Sequence, residues 1–185
     1  FDGKNMVEET TNYGTTKYSY DKNNNVILKE EYDSDGNFST AEKSELDYFA
    51  GTSNLKSNIT FQKRGKGDFK KYTEDYYTYN ENGKLKKEIS TASFYKYVYE
   101  YEYYPNGNLK QKTTLNGETE KIITKYNENG LRRIEAIFRS EGPTYPMEID
   151  QKNKWTYDEY GNEIMFESFR NDKLTKKRIS EITYY

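Results

Sequence analysis

Glu100 and Glu102 stand one residue apart in "YVYEYEYY". On an extended chain their carboxylates fall on one face about 7 Å apart. That lies within the spacing at which one carboxyl group protonates a glycosidic oxygen while the other activates a water. The alternate positions carry Tyr95, Tyr97, Tyr99, Tyr101 and Tyr103. Planar rings held on a sheet can stack on the C–H face of a sugar while their polar tips bond its hydroxyls. Tyr97, Tyr99, Tyr101, Trp155 and Tyr157 are therefore the candidate ligand-binding residues, with a carbohydrate as the ligand class. A third cluster, "DSDGN" at Asp33 to Asn37, has the oxygen-rich start of a calcium loop.

Each candidate has a plainer account. Nothing in the sequence sets Glu100 and Glu102 apart for acid–base work, and interspersed lysines make them members of a solvated ion-pair face. No catalytic residue is assigned, and the chain is expected not to be an enzyme. There is no histidine to act as base in a serine triad and no cysteine for thiolate metal ligation. No phosphate-binding glycine loop occurs. "DSDGN" lacks the distal bidentate glutamate of a calcium loop and has the composition of a type I turn, so neither metal nor cofactor is expected. The tyrosines are read first as the apolar layer of a sheet short of aliphatic residues; a protein–protein surface is another use for them.

The elements that would position these groups follow from the turns. A Tyr precedes a turn Gly or Asn by four residues in "YDKNN" from Tyr20, "YDSDG" from Tyr32, "YNENG" from Tyr79, "YYPNG" from Tyr103, "YNENG" from Tyr126 and "YDEYG" from Tyr157. Residues 48–55, "YFAGTSNL", form a degenerate member. Pro105 lacks an N–H and suits the first central position of a type I turn, leaving Gly107 the left-handed position of a three-residue loop with a bulge. The same frame sets Asn80, Asn127 and Asp158 at the turn start, where their side chains bond backbone two residues on. Tyr104 then pairs with Asn108, Tyr103 with Leu109, Glu102 with Lys110, Tyr101 with Gln111 and Glu100 with Lys112. A locally altered bulge is expected at Leu131.

Return connections around Thr91 to Ser93, Asn116-Gly117 and Asn171-Asp172 complete an all-β antiparallel meander of repeated hairpins. The expected strands are 16–21, 26–33, 38–49, 55–63, 69–80, 84–91, 94–104, 108–115, 118–127, 131–139, 148–158, 162–170 and 173–184. Segment 38–49 is the least strand-like and could hold a helical turn. Residues 140–154, with two of the three prolines, are expected to contain the main irregular loop. One large twisted sheet spanning 1–185 as a single repetitive domain is the expectation, and open or barrel-like closure stays undecided. Apolar residues on both parities, Ile164 and Phe166 against Met165 and Phe169, point to a C-terminal part covered on both faces and curled or partly closed.

Composition narrows the class. Hydrophobic residues are 32% including 21 tyrosines, so the aliphatic core must be thin. Net charge is only −2 and aromatics reach 17%, which separates the chain from disordered sequences. Alternating signs without a basic stripe exclude a nucleic-acid footprint. No apolar run reaches transmembrane length. The chain begins at Phe1 and is read as a mature or trimmed segment.

"WTYDEYGNEI" from Trp155, "YSYDKNNNVI" from Tyr18 and "YTYNENGKLKKE" from Tyr77 resemble the YD repeat of Rhs-type and teneurin-like proteins, roughly Tyr-x-Tyr-Asp-x-x-Gly-Asn/Arg-Leu. The units cover less than half of the chain, their spacing is irregular, and Asn or Tyr replaces the Asp in several. The resemblance implies β-hairpin repeats in an exported or cell-surface protein, with sugar binding as the associated activity and a surface polymer or surface protein as partner. The chain also resembles small exported proteins of Bacteroidetes-type bacteria. Composition and resemblance together place it in the bacterial periplasm, on the cell surface or outside the cell. A structural or protein–protein interaction domain of a larger surface assembly is the alternative.

Overall fold

The computed structural model describes residues 7–143 and 146–183. Among them every regular element is a strand: β1 (Val7–Thr11), β2 (Gly14–Tyr20), β3 (Val26–Asp33), β4 (Phe38–Tyr48), β5 (Leu55–Arg64), β6 (Lys70–Tyr79), β7 (Leu85–Ala92), β8 (Tyr95–Tyr103), β9 (Leu109–Asn116), β10 (Glu120–Tyr126), β11 (Arg132–Arg139), β12 (Glu148–Tyr157), β13 (Glu163–Arg170) and β14 (Lys173–Ile179). Their order in the sheet is their order in the chain, with β1 and β14 as its edges, so the antiparallel meander is not closed. The chain divides into two compact units, one of residues 1–78 with 90–94 and one of residues 79–89 with 95–185.

The turns follow the chemistry of Pro105. Tyr104 N–H donates to Asn108 O at 2.9 Å and Gly107 N–H to Tyr104 O at 2.8 Å, with Gly107 at φ 87°. This is the three-residue loop with a left-handed third position. The same pair of bonds closes the turns at Asp21, Asp33, Asn80, Asn127 and Asp158. Asn24 takes the left-handed place in the first, at φ 65°. The side chain at the turn start does a second job. Asn127 Oδ1 accepts N–H groups from Asn129 at 3.1 Å and Leu131 at 2.9 Å, and Asp33 Oδ1 those of Asp35 at 3.0 Å and Asn37 at 2.8 Å. No altered bulge exists at Leu131, because the side-chain oxygen of Asn127 holds Leu131 as its counterparts hold theirs.

Register departs from expectation one residue beyond the Pro105 turn. Tyr103 does face Leu109, but Glu102 then faces Gln111, Tyr101 faces Lys112 and Glu100 faces Thr113, with Lys110 as the extra residue of a β-bulge. A bulge in the same place follows Tyr20, Tyr32, Tyr48, Tyr126 and Tyr157, the extra residues being Ile27, Ser39, Lys56, Arg133 and Ile164. A bulge reverses the side-chain parity of the strand that carries it. That accounts for the mixed parity around Ile164. The C-terminal strands are not covered by a second layer, since from β8 to β14 each strand contacts only the strands beside it.

Other expectations change in detail. Phe38–Tyr48 is strand throughout, with no helical turn. β1 is an additional strand; "VEETT" has no alternating apolar positions, and the strand is exposed at every residue. The last strand ends at Ile179 rather than 184, and 184 lies outside the described residues. Part of the Pro143 to Pro146 loop, residues 144–145, lies outside them as well. The Asn171-Asp172 connection is a two-residue turn with both residues at positive φ, 49° and 58°, joining Arg170 to Lys173.

Burial is achieved within one layer. In the first unit the buried residues are Ala41 and Thr60; in the second they are Thr113, Thr124, Asn153 and Ser168. All are small or short and lie within strands, and long side chains flank them: Lys112 and Glu135 stand across from Thr124, and Glu30 and Lys63 across from Ala41. Rings and lysine stems lean over short residues where another protein would stack a second sheet. Lys17 over Tyr32 at 5.2 Å, Lys63 over Phe38 at 5.4 Å and Lys154 over Phe169 at 4.9 Å show the pattern. Such contacts contribute about 0.5–1 kcal/mol each at exposed sites.

Candidate functional site

Cross-strand partners share a face, so register traces the tyrosine side of the second unit from strand to strand. Tyr101 stands beside Lys112, Lys112 beside Thr124, Thr124 beside Glu135, and Glu135 beside Asn153. Alternation along β12 then puts Trp155 and Tyr157 on the same face as Asn153. All five candidate ligand residues share one face and are half-buried. They form two groups rather than one, because β8 and β12 lie four strands apart, about 19 Å at ordinary strand spacing.

The β8 group is a ladder. Tyr95 and Tyr97 have ring centroids 5.1 Å apart, and Tyr97 and Tyr99 are stacked at 6.0 Å with 14° between planes. Lys112, brought to this face by the bulge at Lys110, sets its ammonium 4.5 Å from the Tyr99 centroid and 5.6 Å from that of Tyr101. Thr114 and Asn116 stand opposite Tyr99 and Tyr97 and add short polar groups beside the rings. The Tyr101 hydroxyl donates to Glu88 at 3.2 Å. Burial, then the Glu88 charge, pushes the Tyr101 phenol well above the ordinary value for tyrosine. Tyr103 donates to Leu85 O at 2.8 Å, and burial raises its phenol too.

The β12 group is built by different partners. Trp155 packs on Phe166 with centroids 5.3 Å apart, and the Arg132 guanidinium lies 5.2 Å from the indole centroid. Arg132 in turn pairs with Glu135 at 3.7 Å. Burial raises the Tyr157 phenol, with the Glu163 charge adding to it and Arg132 opposing.

Glu100 and Glu102 occupy the reverse face. Lys87 reaches Glu100 at 3.0 Å and Lys110 reaches Glu102 at 4.0 Å, with the glutamate side chains 50% and 59% exposed. These are solvated ion pairs: Glu102 has the expected partner, Lys110, while Glu100 is held by Lys87 in place of Lys112. Both Asp33 carboxylate oxygens are engaged inside their own turn, Oδ2 by Asn37 Nδ2 at 3.2 Å. Among the described residues no group of three or more acidic side chains gathers as a metal site.

One feature escaped sequence reasoning. Consecutive turns at one end of the second unit are stitched together by side chains. Lys84 Nζ donates to Gly107 O, Tyr104 Oη to Tyr126 O at 2.9 Å, and Asn106 Nδ2 and Asn108 Nδ2 both to Glu128 O, at 3.0 and 2.7 Å. Beside Tyr101 and Tyr103 the first two turns enclose an open hollow of about 1020 Å³, to which Asn82, Lys84 and Asn106 contribute. The signal was the run of units from Tyr79, Tyr103 and Tyr126, whose near-even spacing brings turn residues of successive hairpins into line.

No family model and no curated protein matches the chain. Among solved structures, the Tc holotoxin pore of Photorhabdus luminescens aligns over 89% of this chain at 12% identity with a TM-score of 0.48, and the chain spans 9% of that protein's length. A Bacteroides fragilis protein of unknown function aligns over 82% of this chain and 92% of its own, at 11% identity and a TM-score of 0.29.

Proposed function

We propose that the chain is a non-enzymatic, exported binding and scaffold module, a YD-like hairpin repeat whose tyrosine-bearing sheet face takes an extended carbohydrate or other cell-surface polymer. The observation that carries it is the β8 ladder: stacked, half-exposed rings at Tyr97 and Tyr99, a cation held over Tyr99 and Tyr101, and short hydrogen-bonding side chains alongside. A long ligand lying across the strands would reach from this ladder to Trp155 and Tyr157, and the two-group layout favours a polymer over a single sugar. Affinity electrophoresis in gels containing polysaccharides, together with a glycan array, tests it. Retardation by at least one polymer should be lost in Tyr97→Ala/Tyr99→Ala while the far-ultraviolet spectrum persists. If no polymer retards the chain, or the double variant is retarded as before, the ligand assignment fails. The alternative, a structural module within a larger surface assembly, is favoured by the exposed edge strands.

A further inference from the structure

β1 and β14 are exposed at every residue, unlike the strands between them. Both end the sheet, so each presents one row of backbone N–H and C=O groups that no strand among the described residues takes up. Their charges are opposite. β1 carries Glu8 and Glu9, while β14 carries Lys173, Lys176, Lys177 and Arg178. Large apolar side chains stand open on the same two strands, Val7 at 51%, Leu174 at 52% and Ile179 at 67% exposure.

We infer that these edges are made for each other in different copies, the β1 edge of one chain adding to the β14 edge of the next as a continuation of the sheet. Charge decides the pairing. Two β14 edges would set four cations against four, and two β1 edges would set carboxylates against carboxylates, whereas β1 on β14 sets acid against base. Strand count fits as well. With fourteen alternating strands, a second copy in the same orientation brings its β1 antiparallel to β14. One register places Glu9 beside Lys176, Glu8 beside Lys177 and Thr10 beside Thr175, and leaves Val7 and Leu174 at the seam. Pairs already present orient the groups: Lys17 holds Glu8 at 3.6 Å, Glu167 holds Lys177 at 3.5 Å and Glu163 holds Arg178 at 2.5 Å. The contact is head-to-tail, so it builds chains of copies rather than a two-fold dimer.

Sedimentation equilibrium of the whole chain over a wide concentration range, at low and at high salt, tests the inference. Association beyond the 22.0 kDa monomer should appear at low salt and weaken as salt screens the edge charges. Glu8→Lys/Glu9→Lys and Lys176→Glu/Lys177→Glu should each lower the association constant at least tenfold. Their equimolar mixture should restore it, because the basic β1 of one variant then meets the acidic β14 of the other. Should either double variant lose its β-sheet spectrum, the single changes Glu9→Lys and Lys176→Glu replace it, with a smaller drop expected and the same recovery on mixing. A chain that stays monomeric at low salt, association indifferent to both reversals, or no recovery on mixing would overturn it. The face variants at Tyr97 and Tyr99 leave both edges intact, so polymer binding and edge pairing stand or fall separately.

Discussion

Replacing Asn127 with alanine isolates what a turn-starting side chain contributes. Asn127 Oδ1 accepts two backbone N–H groups, from Asn129 at 3.1 Å and Leu131 at 2.9 Å. A hydrogen bond between neutral groups contributes a net of about 0.5–1.5 kcal/mol. The turn is exposed, so water recovers part of each bond and the loss should be about 1–2 kcal/mol in all. How that loss is distributed tests the architecture more sharply than its size. Strands of the second unit contact only their neighbours, and in such quasi-one-dimensional proteins stability is a sum of local and nearest-neighbour contributions. Hydrogen exchange followed by mass spectrometry should show protection falling about 5- to 30-fold in peptides of β10 and β11, with little change in β13 and β14. Asn127→Asp should keep protection near its original level, because Asp33 makes the same two bonds in its own turn. A uniform loss across the unit would refute the one-layer reasoning, and no loss at all would refute the role given to the side chain.

Two further outcomes follow from particular sites. Tyr101 and Tyr48 have phenols raised by burial first and by the neighbouring carboxylates Glu88 and Asp21. In the fold they keep their protons to higher pH than in the unfolded chain, so stability present below about pH 10 is lost as pH rises through the folded values. Urea unfolding monitored from pH 9 to 11.5 should show this decline, and Tyr101→Phe should flatten it; an unchanged slope would count against the assignment. At Gly14, φ is +143° and an added Cβ would lie 2.0 Å from the backbone oxygen of Tyr32. Gly14→Ala should therefore cost on the order of 3 kcal/mol and release the β1–β2 hairpin, seen as rapid proteolysis within residues 7–20. Survival of that hairpin against protease would show that the close approach is not needed.

Much of the fold was legible because turn chemistry is local. Pro105 and Gly107 alone fixed the loop length, and the Tyr103–Leu109 pair followed. What could not be read was the bulge after it. An extra residue such as Lys110 or Ile164 has no compositional mark, and it reverses which side chains share a face. That single step moved Lys112 from the glutamates to the tyrosines. It also made the C-terminal strands look as though both faces were covered. The candidate site was legible to the extent that period two declared the Tyr95–Tyr103 ladder and separated it from Glu100 and Glu102. That Trp155 and Tyr157 share its face depended on register across five strands, three of which, β9, β11 and β12, carry a bulge. β1 was missed because "VEETT" has nothing to bury.

The tyrosine-bearing face answers to a shortage of aliphatic residues. Without a second layer, Thr124, Asn153 and Ser168 become the most buried positions of the tyrosine-bearing face, since only short side chains let neighbouring rings and lysine stems close over them. Those rings stay half-exposed for the same reason. The face proposed for binding is thus a product of how this sheet stabilises itself, and substituting Tyr97 or Tyr99 should lower stability somewhat while the sheet itself persists. The edges are under no such constraint, because no residue of β1 or β14 is buried. Charge there is tied within the chain by exposed pairs, Glu8 with Lys17 and Lys177 with Glu167, which contribute little to stability, so reversal at Glu8, Glu9, Lys176 and Lys177 should change association while leaving the hairpins intact.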